Sequence, residues 1–102
     1  MHIGFVRSGG FAGMLLVANI DSQSLPAEEL SILESEVAEA AFFDLPERIV
    51  PAFPMPDSFE YEISVSSSNQ THTIRVGEAL VADSLRPLID HLTNLARTGK
   101  YR

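Results

Sequence analysis

The stretch Phe59-Glu60-Tyr61-Glu62-Ile63-Ser64-Val65 alternates apolar and polar residues without a fault. A strand turns successive side chains to opposite faces, so this one must bury one face and wet the other. A chain containing it therefore needs a sheet with apolar cover on a single face. Residues 66–69 form a polar turn, and 71–76 return as a partner strand with His72, Ile74 and Val76 on one side. Near the N-terminus, residues 2–7 and 14–20 read as a second pair. Ser8-Gly9-Gly10-Phe11-Ala12-Gly13 lies between them and carries three glycines suited to a tight reversal. Residues 14–20 are apolar on both faces, which predicts a central position in the sheet.

The cover comes from two helices. Leu30, Leu33, Val37, Ala40 and Ala41 recur at helical spacing, predicting a helix over 27–43, with Ser24 as its cap and Pro26 at its first turn. Leu85, Leu88, Ile89, Leu92 and Leu95 form the stripe of a second helix. Asp83 or Ser84 caps it, Pro87 sits in its first turn and Gly99 ends it. The order is ββαββα. The expectation is an α+β fold in which a four-stranded antiparallel sheet has both helices packed on one face. At 102 residues, 45% of them hydrophobic, the chain is one domain, 1–102, with enough material for a core of its own.

Residues 47–58 do not fit the pattern. Pro51, Pro54 and Pro56 forbid a helix or a central strand, yet Ile49, Val50, Phe53 and Met55 stand among them. This is a long apolar loop. Lengths place it: a seven-residue strand spans about 23 Å and a sixteen-residue helix about 24 Å. The first helix is thus expected to bring the chain back to the glycine turn. Loops 8–13, 47–58 and 77–83 should then share one end of the domain. That end carries Phe11, Val50, Phe53 and Met55 beside Asp57, Glu78 and Asp83. Either these apolar groups form an exposed recognition patch, or the loop folds back and they complete the core.

Charge and residue chemistry exclude several functions. A net charge of −7 repels phosphate backbones, so nucleic acid is not an expected partner. Arg86, Arg97, Lys100 and Arg102 read as a solvated face complementing a helix C-terminus. With no cysteine there is no disulfide and no thiolate site, which fits a reducing compartment. The N-terminal apolar run is too short and too interrupted for a signal peptide, and no run reaches transmembrane length. A cytoplasmic protein without membrane contact is expected.

His2, His72 and His91 lack metal-ligand spacing, and His72 and His91 read as satisfied core histidines. Glu34, Glu36 and Glu39 read as the wet face of the first helix. The serines lack a nucleophile elbow, and the glycine turn lacks the lysine and helix of a phosphate loop. The chain is therefore expected to be a binding domain, not an enzyme, with no cofactor and no metal of its own.

Several segments together resemble the emfourin-like inhibitors. They are Arg7-Ser8-Gly9-Gly10-Phe11-Ala12-Gly13, Leu25-Pro26 before an acidic helix, Phe42-Phe43-Asp44-Leu45-Pro46 at its end, Asp57-Ser58-Phe59-Glu60-Tyr61 after the proline loop, His72-Thr73-Ile74-Arg75-Val76, and Leu85-Arg86-Pro87-Leu88. One position departs from the family pattern: Ser58 stands where Arg is frequent. The resemblance implies a bacterial inhibitor of protealysin-like metallopeptidases of the thermolysin family; a monomer when free is the default expectation. Such peptidases hold zinc with three protein ligands and leave one position for water, beside an apolar substrate pocket.

On that basis Asp57 is the candidate ligand for the target's zinc, with Asp83 the second choice. Ser8, Gly9, Gly10, Phe11, Ala12, Phe53 and Met55 are the candidate contacts to the cleft. Asp57 also suits a plain turn role, capping backbone N–H groups. A non-inhibitory interaction module, an adaptor or an immunity-type protein, is the alternative use of the same patch.

Overall fold

Five strands hydrogen-bond in the order β2-β1-β4-β5-β3: β1 is His2–Gly9, β2 Leu16–Asp21, β3 Arg48–Ile49, β4 Phe59–Ser66 and β5 Thr71–Gly77. Two helices accompany them, α1 (Ala27–Glu39) and α2 (Arg86–Arg97). The computed structural model describes residues 1–10, 13–53 and 57–102. The expected α+β class and the two hairpins are present. The expected four-stranded antiparallel sheet is not, because β3 adds a fifth strand that runs parallel to β5.

The alternation in β4 does what its pattern requires. Tyr61, Ile63 and Val65 are buried, while Glu62 between them is exposed. Ile3 and Phe5 of β1, Ala18 and Ile20 of β2, and Ile74 and Val76 of β5 continue that apolar face. Leu33 and Val37 of α1 and Leu88, Ile89, Leu92 and Leu95 of α2 close the core over it. On the open face Arg75 pairs with Glu60 at 3.2 Å and Glu62 at 3.6 Å, and Thr73 donates to Ser64 at 2.9 Å.

β2 lies at an edge of the sheet, not at its centre. Its inward residues meet the core, and the Tyr101 carbonyl accepts the Asn19 N–H, so the C-terminal turn covers part of that edge. α1 stops at Glu39, short of the expected 43, because Ala41 takes a left-handed backbone (φ 48°) and a 3-10 turn, Phe42–Asp44, follows. Neither helix has the side-chain cap expected from Ser24, Asp83 or Ser84: α1 opens from Pro26 and α2 from Leu85. Ser24 instead donates to the Asp21 carbonyl. Pro87 does occupy the first turn of α2.

The route to the proline loop also differs. α1 does not bring the chain back to the glycine turn. The 3-10 turn after it packs Phe42 edge-on to His72, beside the β4–β5 turn at the opposite end of the sheet. The return is made by residues 45–51 along β5. The Leu45 carbonyl meets His72 Nε2 at 2.7 Å, the Arg75 N–H donates to Glu47, and Pro51 reaches Gly77. An edge position is where a proline-flanked strand is tolerated, and it gives the outer edge of β5 a partner.

Candidate functional site

The three connections do converge. Gly9 at the end of β1 pairs with Phe59 at the start of β4, and Glu60 pairs with Gly77 at the end of β5. Gly9 has φ 92°, and a Cβ there would stand 2.3 Å from the Ser58 carbonyl oxygen. A Cβ on Gly10 would stand 2.7 Å from the Phe59 ring. These glycines thus let the first turn lie directly on the start of β4. That is an internal packing role, in addition to any approach to a partner.

Phe59 is the centre of this end. The Arg7 guanidinium lies over its ring, 4.2 Å from the centroid. On one side Arg7, Gly9, Gly10, Met14, Leu15, Leu16 and Phe59 line a depression of about 240 Å³. On the other, Pro51, Phe53, Ser58, Phe59, Gly77 and Ala79 line a second of about 160 Å³. Met14 is 74% exposed, Leu15 65% and Phe53 89%. Large apolar groups this open, gathered at one end, form a patch of the kind that marks a protein-binding surface. Phe53 has not folded back into the core.

Of the residues expected at the site, Ser8 is half-buried in β1 opposite Glu60, and Gly9, Gly10 and Phe53 are at the loop end as described. Asp57 is exposed in the turn that enters β4. Asp83 is exposed before α2. Phe11, Ala12 and Met55 lie outside the described residues. Sequence reasoning missed Arg7, Met14, Leu15 and Phe59 as parts of the site. Met14 and Leu15 lie outside the strand expected over 14–20: β2 starts at Leu16, and the two residues between Gly13 and that strand are exposed.

Glu78, expected on display, is instead tied inward. Its carboxylate accepts from the Tyr61 hydroxyl at 2.5 Å and from the Arg86 guanidinium, which also approaches Asp90 at 3.9 Å. Hydrogen bonding to Arg86 holds the Glu78 carboxyl below its ordinary range, against the opposing effect of burial. Burial, with Glu78 adding to it, pushes the Tyr61 phenol up to about 12. The network fixes the turn after β5 to the start of α2, so the loop end rests on a rigid base.

His72 and His91 are satisfied, as expected, whereas His2 is exposed. His72 meets the Leu45 carbonyl, and His91 lies between Glu36 at 2.6 Å and Glu29 at 3.1 Å. Glu36 is therefore part of the helix–helix contact and not of the wet face. Among the described residues no group of three or more His, Asp or Glu is arranged to hold a metal ion. No helix among them is long and apolar enough to cross a membrane.

No curated protein and no solved structure matches the chain. The family model described as Emfourin matches residues 5–93, from within β1 into α2. Because that match covers most of the 102 residues, the chain belongs to the Emfourin family, a family of protein inhibitors directed at metallopeptidases.

Proposed function

We propose that this chain inhibits a protealysin-like zinc peptidase of the thermolysin family by seating its loop end in the substrate cleft. The observation that carries the reading is the exposure of Met14, Leu15 and Phe53 around Phe59, with the Asp57 carboxylate exposed at the same end. A carboxylate oxygen can replace the zinc-bound water, and an apolar side chain can fill the pocket beside it. Asp57 takes the first role, with Asp83 as second choice. Phe53, with Phe11 and Met55, takes the second, and Met14 and Leu15 extend the apolar contact.

The packing of Gly9 and Gly10 on the start of β4 and the Tyr61–Glu78–Arg86 network support this role, since groups held in place before binding lose less entropy on association. The free inhibitor is a monomer that acts in the cytoplasm, consistent with its lack of cysteine.

The test is titration of the protein into a protealysin-like peptidase with a fluorogenic peptide substrate. Stoichiometric, substrate-competitive loss of activity is expected. Binding without loss of activity would replace this reading with that of an adaptor.

A further inference from the structure

Arg7 and Arg97 make no ion pair among the described residues, in a protein whose acidic groups outnumber its basic ones 14 to 7. Arg7 is held in place by its stacking on Phe59, and its Nε is buried without a hydrogen-bond partner. Glu78, which lines the same groove, is already committed to Tyr61 and Arg86. With Nε turned inward, the two terminal nitrogens are the ones a partner can meet, and a guanidinium held in place offers them as a planar fork to the two oxygens of a carboxylate.

The surroundings fit that ligand. Arg7 lines the apolar depression at the loop end and also a polar groove of about 410 Å³ running along α2. Arg86, Thr93, Asn94 and Arg97 stand on the α2 wall of that groove, with Asp90 as the one acid of the helix there. Three arginines against Asp90 and Glu78 leave this groove net positive on a protein of net charge −7. A small free anion would be repelled by the protein as a whole. A carboxylate carried by a partner already seated on the adjacent apolar end is delivered despite that repulsion.

We propose that Arg7, with Arg97 across the groove, receives an acidic side chain from the rim of the bound peptidase, making this groove a second contact beside the cleft-blocking loops. The inference rests on the inhibitor reading given above.

Binding of the whole protein to a protealysin-like peptidase, measured by calorimetry at low and high salt, tests it. The variants are Arg7→Gln, Arg7→Lys and, as a control with the same charge change, Arg48→Gln on the exposed far edge of the sheet. Arg7→Lys keeps the charge and an apolar stem over Phe59 but lacks the fork. Thermal melting checks that each variant folds. Both Arg7 variants should bind about tenfold or more weakly, mainly through faster dissociation, and Arg7→Gln should show a shallower salt dependence than the wild type. Arg48→Gln should stay within about twofold.

Wild-type binding that survives in Arg7→Gln and Arg7→Lys overturns this inference and leaves the inhibitor reading intact. Equal losses in Arg7→Gln and Arg48→Gln overturn it too, as a long-range charge effect. If free phosphate or succinate competes for the groove on the isolated inhibitor, the receptor is for small anions and the proposal falls. Failure of the wild type to bind any such peptidase removes both readings together.

Discussion

His91 of α2 places Nδ1 2.6 Å from Glu36 Oε1 of α1, and its other ring nitrogen reaches Glu29 at 3.1 Å. A neutral imidazole carries a single N–H, so only the protonated ring can donate to both carboxylates. Burial works against that charge, but the hydrogen bonds that His91 donates to Glu36 and Glu29 outweigh it and raise the His91 pKa above 6.5. The folded state thus binds the proton more tightly than the unfolded state. The stabilisation is fully present below the unfolded pKa and is lost as pH rises through the raised folded value. Melting temperature should fall as pH rises above 6.5 and through the raised folded value in the wild type, and this part of the fall should be missing in His91→Gln. A wild-type profile parallel to that of the variant would refute the charged bridge.

Tyr61 gives a second pH signature at the alkaline end. Its phenol is raised from 10.0 to about 12 in the fold, so the unfolded chain loses the proton first. Stability should decline as pH rises from 10.0 towards about 12. Ultraviolet titration should show one tyrosine ionising late. Tyr61→Phe should remove that late step and lower stability by about 1 kcal/mol through loss of the bond to Glu78.

Gly9 and Gly4 should respond oppositely to alanine. Gly9→Ala places a Cβ against the Ser58 carbonyl in a left-handed backbone. A loss of about 2 kcal/mol or more is expected in urea unfolding. At Gly4 the nearest atoms to a Cβ are 3.8 Å away, an ordinary contact. Gly4→Ala should be neutral or stabilising by about 0.5 kcal/mol.

Phe53→Ala separates binding from folding. A side chain 89% exposed contributes little to the core, so stability should change by less than about 0.5 kcal/mol. If it plugs the cleft, inhibition should weaken by about 2 kcal/mol. A loss below about 0.5 kcal/mol would remove Phe53 from the contact.

Asp57→Asn tests the zinc ligand. An amide can still accept a hydrogen bond but is a much poorer partner for zinc than a carboxylate. The inhibition constant should rise by at least about tenfold while melting is unchanged. Unchanged inhibition would leave Asp57 as a turn residue and move attention to Asp83.

Much of the site's location was legible before any coordinates. Glycines at 9 and 10 and prolines at 51, 54 and 56 mark the two turns, and their meeting at one end was expected, although residues 45–51 along β5 and not the first helix make the return. Phe59 was not legible as the centre, because its place between Arg7 and Gly10 depends on the register of β1 against β4. Glu78 was misplaced for a similar reason. Its inward turn needs Tyr61 and Arg86, which lie 17 and 8 residues away in the chain.

Periodicity is a local property, and it located both hairpins and both helices and most of their buried faces, but not the ends of β2 and α1 nor the short strand at Arg48–Ile49. The alternation of β4 and the stripe of α2 are readable from neighbours alone, since a pleat repeats every two residues and a helix every 3.6. Strand order is not local. That β2 lies at an edge and that Arg48–Ile49 joins β5 in parallel were decided by tertiary structure, where backbone groups far apart in sequence must find partners. The same long-range pairing decided which side chains meet at the loop end.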